Sequence, residues 1–162
     1  MDMQEKILRL LENDSSYTHE QIATMLDIPV EQVKAAIAEM FEKGIILKYC
    51  ALIDWEKTER EFVTAQIELR VTPQRGEGFD KVAERIYQYP EVKSVYLMSG
   101  GYDLGVTIEG RTMKEVALFV AEKLAPMECV ISTKTHFVLK KYKQNGVVFN
   151  KPQKDERRVI TL

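Results

Sequence analysis

The sequence predicts an α+β protein in two parts, and three observations carry that reading. Residues 1–53 contain three stretches with apolar side chains at helical spacing, followed by one strand-like apolar stretch. Residues 62–143 run strand, helix, strand, strand, helix, strand, the order of a ferredoxin-like antiparallel sheet with helices on one face. Residues 94–110, SVYLMSGGYDLGVTIEG, set two apolar strands on either side of a Gly-rich bend that carries a carboxylate.

In chain order, Met3, Ile7, Leu8 and Leu11 line one face of a first helix, which the polar run Asn13-Asp14-Ser15-Ser16 ends. Thr18 and Gln21 have the spacing of a capping box, in which each side chain satisfies a backbone N–H of the first turn. They open a second helix whose apolar stripe is Ile22, Met25 and Leu26, and Asp27-Ile28-Pro29 breaks it. Val33, Ile37, Met40 and Phe41 give a third helix that stops at Gly44, a residue suited to the left-handed C-terminal cap. Three short helices followed by a β-wing at residues 45–53 make a winged helix-turn-helix, whose third helix enters the DNA major groove.

Residues 54–61, DWEKTERE, read as a charged linker. Beyond it, Val63, Ala65, Ile67, Leu69 and Val71 alternate with Thr64, Gln66, Glu68 and Arg70, the pattern of a half-buried strand. Phe79, Val82, Ala83 and Ile86 mark a helix ending near Pro90, and the hairpin of residues 94–110 supplies the next two strands. Met113, Val116, Ala117, Val120 and Leu124 mark another helix, and residues 130–142 a fourth strand. The sheet face away from these helices is expected to be apolar or amphipathic and to be covered by a second copy of the chain, giving a homodimer. Residues 144–162 form a C-terminal hairpin and a basic tail, because Asn145-Gly146 between apolar runs is a strong turn signal with a fifth strand after it.

Hydrophobic content of 45% and a mean hydropathy of -0.24 fit a soluble globular protein. No run approaches the ~20 apolar residues of a membrane helix, and the start of the chain lacks the basic-then-apolar order of a secretory signal, so a cytoplasmic protein without a membrane partner is expected. Cys50 and Cys129 lie far apart with no CxxC and no neighbouring His, so they are expected to be buried apolar residues rather than metal ligands. The net charge of -2 hides an asymmetry: residues 1–61 hold 7 Lys and Arg against 13 Asp and Glu, whereas residues 62–162 hold 16 against 12.

With these features in place, the chain resembles the Lrp/AsnC, or feast/famine, family of bacterial and archaeal transcription regulators. The resemblance rests on the helix-turn-helix, on residues 44–54 (GIILKYCALID) matching the family's G-[IV]-I-x-x-Y-x-A-x-[LI]-D stretch, and on Gly100-Gly101-Tyr102-Asp103 matching its G-x-[YF]-D hairpin. It implies a RAM/ACT-like second domain that dimerises, dimers that assemble into octamers, and small effectors, usually amino acids, bound at interfaces around the hairpin. One departure stands out. The family's recognition helix opens on Ser or Thr and often carries Arg in its middle, yet Pro29 stands at the cap here and Ala35-Ala36 where the basic pair would lie.

The expected function is therefore amino-acid-responsive regulation of transcription, with double-stranded DNA, a small effector and further copies of the chain as partners, and no resident cofactor or metal. Gln32 and Lys34 on the third helix and Lys48 in the wing are the candidate DNA contacts, with help from the basic tail, because phosphate neutralisation supplies most non-specific affinity. Asp103 is the candidate acceptor for an α-ammonium while the Gly100 and Gly101 amides take the carboxylate; the competing reading is a turn-capping Asp. Met98, Ser99 and Tyr102 flank that pocket, and Thr133 and Thr135 are candidate hydroxyl donors from the fourth strand, although Thr needs no function there. Two alternatives stay open: a ligand sensor that has lost DNA binding and acts through protein partners, and a siroheme-decarboxylase-like enzyme. The second lacks an Arg- and His-rich pocket and any nucleophilic triad.

Overall fold

Three helices form where apolar spacing and capping coincide: α1, Met3–Asn13; α2, His19–Leu26; and α3, Val30–Glu42. In this computed structural model, which describes residues 2–72 and 78–149, the chain divides into two compact units between Ile53 and Asp54. The capping box at α2 is complete: the Thr18 hydroxyl accepts from the Gln21 N–H at 3.2 Å, and the Gln21 side chain accepts from the Thr18 N–H at 2.8 Å. Asp27 follows α2 with φ 54, so the tight turn into α3 is made by a left-handed residue that Asp tolerates better than most. Gly44, at φ +66, closes α3, and the N–H groups of Ile45 and Ile46 both donate to the Met40 carbonyl. Ile7, Leu11, Ile22, Val33, Ile37 and Met40 pack into the core of this unit. Met25, expected in the stripe of α2, is exposed instead.

The expected β-wing is absent: residues 45–53 hold no strand. A strand needs a partner for its backbone N–H and C=O groups, and within this unit the segment has none, so apolar pattern alone does not pair it. Ile45, Leu47, Tyr49, Leu52 and Ile53 are consequently exposed, with Tyr49 resting edge-on against Phe41 at 5.4 Å between ring centroids. Cys50 shares that exposure, contrary to its expected burial, whereas Cys129 is buried.

The second unit opens on a 3-10 turn at Trp55–Lys57 within the expected linker. Its sheet contains β1, Val63–Val71; β2, Val92–Leu97; β3, Leu104–Gly110; and β4, Val130–Phe137, in the order β2-β3-β1-β4 with every pairing antiparallel. Helix α4, Gly78–Tyr87, and helix α5, Met113–Phe119, which continues as a π-helical turn at Val120–Leu124, supply Val82, Ile86, Val116, Phe119, Val120 and Leu124 to the core. These side chains cover the face formed by Ala65, Ile67, Leu69, Leu104, Val106 and Ile108. β4 ends at Phe137, five residues before the expected end, and a register shift at Arg70/Val71 leaves Ile131 unpaired and exposed.

The open face is amphipathic, one of the two expected characters, with the exposed Tyr96 at the β2 end of a row that is otherwise polar. In-register rows place Gln66 beside Thr107 and His136, and Glu68 beside Gly105 and Lys134. His136 Nε2 lies 3.1 Å from Glu68 Oε1, and Lys134 Nζ 4.0 Å from Glu68 Oε2. A separate two-stranded ribbon follows, β5 (Lys143–Gln144) paired with β6 (Val147–Val148) across the expected Asn145-Gly146 turn, where both residues take positive φ.

Replacing the reciprocal cap should show directly in the first unit. Thr18→Ala is expected to cost about 1 kcal/mol, read as a lower denaturant midpoint for the helical circular-dichroism signal; an unchanged midpoint would mean that the box does not hold α2.

Candidate functional site

The bend between β2 and β3 is built onto the end of β1. Because β3 pairs with β1 through Leu69↔Leu104, the residue before Leu104 falls beside the last residues of β1. There the Asp103 N–H donates to the Leu69 carbonyl at 2.9 Å, and Asp103 Oδ2 accepts from the Val71 N–H at 2.9 Å. Across the neck of the bend the Met98 N–H donates to the Asp103 carbonyl at 2.8 Å, and Arg70 Nε donates to the Gly101 carbonyl at 2.9 Å. Four hydrogen bonds thus fix a six-residue loop on the rim of the sheet.

The tip itself is open. Ser99, Gly100 and Gly101 are exposed and Tyr102 and Asp103 half-buried, so within one chain the bend is not a buried turn. Neither Gly100 nor Gly101 takes positive φ, and nothing lies within 4 Å of where their Cβ atoms would be. Their backbone N–H groups make no hydrogen bond among the described residues. Met98 and Tyr102 lie over Gly105, each with an atom 3.5 Å from where a Gly105 Cβ would stand. The exposed apolar run Tyr96, Leu97 and Met98 leads along edge strand β2 into the bend.

The structure brings Met98, Ser99, Gly100, Gly101, Tyr102 and Asp103 together but not the two threonines. Thr133 pairs with Leu69 and Thr135 with Ile67, which puts both on the helix-covered face of β4, with β1 between them and the hairpin. No hydrogen bond among the described residues joins either to the bend. Arg70 is the residue that sequence reasoning missed. Its signal was topological: in a sheet ordered β2-β3-β1-β4 the end of β1 must adjoin the start of β3.

Two clefts lie at the other end of the hairpin. One, of about 510 Å³, is lined by Arg60, Glu61, Phe62, Glu91, Lys93, Glu109, Arg111 and Glu115, and the other, of about 220 Å³, lies between β3 and α5. Neither includes a residue of the bend. Glu91 borders both, and its Oε2 is buried with no hydrogen-bond partner among the described residues. No group of His, Cys, Asp and Glu among the described residues could hold a metal ion.

On α3, Gln32 is exposed and Lys34 is paired with Glu31 at 3.1 Å. Both charges of that pair reach solvent, so the pair is weak and the lysine can turn to another anion. Pro29 caps the helix without a side-chain bond, as its position suggested. Lys48 is exposed in the strandless segment. The Lys43 ammonium bonded to Glu39, with Gln4 as a second donor, holds the Glu39 carboxyl below the usual carboxylate range. Glu39 is therefore ionised, with its charge balanced by Lys43. The basic tail of residues 151–162 lies outside the described residues.

A helix-turn-helix unit ahead of a ferredoxin-like unit with an open hairpin bend defines a two-part transcriptional regulator. Residues 64–148 match the Lrp/AsnC ligand binding domain. Over 157 residues, 96% of this chain and 95% of its relative, the sequence is 50% identical to the uncharacterized HTH-type transcriptional regulator YugG of Bacillus subtilis strain 168. Among solved structures, the transcriptional regulator NMB0573 in complex with L-Met from Neisseria meningitidis shares the fold with a TM-score of 0.72 at 21% identity, covering 89% of this chain and 93% of that one. E. coli AsnC does so with a TM-score of 0.69 at 16% identity, over 89% and 95%. The chain belongs to the Lrp/AsnC family of transcriptional regulators.

The anchoring of Asp103 generates a test of its structural share. Asp103→Ala leaves the Val71 N–H without its partner and is expected to destabilise the second unit by about 1–3 kcal/mol, whereas Asp103→Asn keeps an acceptor oxygen and should cost less. Equal melting temperatures for the two variants would show that the Val71 bond contributes nothing.

Proposed function

We propose that the protein is a DNA-binding regulator that responds to an amino acid held at the 98–103 bend where a second subunit covers it. The observation that carries this reading is the bend itself: two unpartnered backbone amides beside a carboxylate, on a loop already fixed to the sheet. The amides suit an α-carboxylate. One accepted hydrogen bond leaves most of the Asp103 carboxylate's acceptor capacity for an α-ammonium. A loop that needs no reordering loses little entropy when the ligand binds. The L-Met complex of the Neisseria regulator supports an amino acid as the ligand class.

A site this open needs a second wall. The exposed run Tyr96, Leu97 and Met98 offers apolar surface for it, with Ser99 and Tyr102 at its margin; Thr133 and Thr135 lie on the helix-covered face of β4, so they would serve it only from the β4 edge of another copy. The amphipathic sheet face calls for a partner that complements Glu68, His136 and Lys134 and packs on Tyr96. Homodimers assembling toward octamers fulfil both needs, and Gln32, Lys34 and Lys48 then meet the duplex from paired units. A second reading, a ligand sensor without DNA binding, is favoured by one observation: residues 1–53 carry 5 Lys and Arg against 9 Asp and Glu.

The two readings part in a pair of measurements. Thermal shift against the twenty amino acids should find at least one that raises the melting temperature of the wild type and not of Asp103→Asn, since a ligand that binds only the folded state stabilises it. Selection of genomic fragments on the immobilised protein at low salt should retain specific duplexes, with retention altered by that amino acid. If no fragment is retained, the sensor reading replaces the regulator; if Asp103→Asn responds as the wild type does, Asp103 leaves the site.

A further inference from the structure

The first unit carries an excess of acid, yet the chain binds DNA in the reading above, so cations elsewhere must supply the attraction to phosphate. From Cys129 to Phe149 the chain contains four lysines and no Asp or Glu. Three of them, Lys140, Lys141 and Lys143, gather where β4 gives way to the β5–β6 ribbon. None forms an ion pair with a carboxylate among the described residues. Two are held instead by aromatic faces: Lys140 Nζ lies 5.2 Å from the Tyr142 ring centre and Lys141 Nζ 5.3 Å from that of Phe62. Arg60 reaches the same Phe62 ring at 5.6 Å and the Trp55 ring at 4.6 Å. A ring positions a cation without neutralising it, so Lys140 and Lys141 keep a charge that an ion pair would cancel.

The ribbon has the shape for an outer contact. It is a two-stranded arm with a Gly146 tip, exposed from Tyr142 to Val148 and bonded back on itself by the Phe149 N–H to the Tyr142 carbonyl at 3.0 Å. We infer that Lys140, Lys141 and Lys143 form a phosphate-binding arm of the second unit that grips the DNA backbone without reading bases. This rests on the DNA-binding reading above. The arm is separate from the candidate contacts Gln32, Lys34 and Lys48 and from the tail of residues 151–162. The exposed Leu139 and Val147 beside it make another copy of the chain the rival occupant.

The test is the salt dependence of binding of the full chain to a mixed-sequence duplex, followed by fluorescence anisotropy. The wild type is compared with Lys140→Gln/Lys141→Gln/Lys143→Gln and with Lys140→Gln/Lys143→Gln, which leaves Lys141 on Phe62. The slope of log affinity against log salt should become shallower by roughly 0.9 for each phosphate that is no longer neutralised, about 2 to 3 for every fully engaged arm in the triple variant. Melting temperature and oligomeric mass should not change in the double variant. A wild type that holds no duplex at any salt overturns both the arm and the DNA-binding reading. A wild type that binds, with a slope shared by both variants, overturns the arm alone; so does a fall in oligomeric mass with an unchanged slope, which would assign the ribbon to the interface between copies.

Discussion

Strand β1 is the constraint on which the second unit depends. Its inward residues, Ala65, Ile67, Leu69 and Val71, are the centre of the apolar core, and its neighbours β3 and β4 are both registered against it. The same strand ends by donating its Val71 N–H to Asp103 and by sending Arg70 to the Gly101 carbonyl. Packing and site are therefore one mechanical system. A shift of β1 by one residue would turn its apolar face to solvent and tear the bend from its anchor at once. Because the apolar cost of that slip is large, the position of the bend is specified by the core rather than by the loop's own preferences.

Electrostatics divides the chain in the opposite sense to its expected duties. The unit that carries the recognition helix is acidic, with Glu31 and Glu39 on or beside the exposed face of α3, while the lysines cluster late in the sequence. Acidic residues near a base-reading surface penalise indiscriminate adhesion to phosphate, so affinity must come from correct hydrogen bonds or from cations placed elsewhere. Held by aromatic rings, Lys140 and Lys141 keep their charge and lose conformational freedom in advance. On the inference drawn above, the arrangement would separate gripping from reading, which lets affinity and specificity vary independently.

Local chemistry was legible in the sequence and long-range chemistry was not. The Thr18 and Gln21 cap, the Gly44 stop and the Asn145-Gly146 turn each depend on residues within a few positions of one another, and each is present. The alternation of β1 was equally readable, because one face of a half-covered sheet must be apolar. The failures share a cause in partners outside the segment. Residues 45–53 have a strand's composition but no strand to pair with in their unit, and Cys50 is exposed with them. Ile131 is unpaired and exposed because the register shifts against the end of β1, which a strand's own composition does not reveal. Arg70 reaches a carbonyl 31 residues away, a distance that no spacing rule spans. At the bend, composition identified the residues, but it did not show that Ser99, Gly100 and Gly101 stand exposed or that neither glycine takes positive φ.

How such a bend could govern DNA binding follows from linkage. An effector shifts an equilibrium between assemblies only by the difference in its affinity for them, so a site that binds equally well in every assembly regulates nothing. The bend is incomplete in the required way. Its donors and carboxylate are pre-set by β1, and on the proposed reading its missing walls would make tight binding of an effector conditional on a neighbour. Coupling of about 1–3 kcal/mol, the usual range for such sites, needs no movement within the sheet; it needs only that the neighbour's contribution differ between two packings. A rigid half-site on a strand-anchored loop supplies that difference more reliably than a flexible one, because a loop free to adapt would bind equally well in both and transmit nothing.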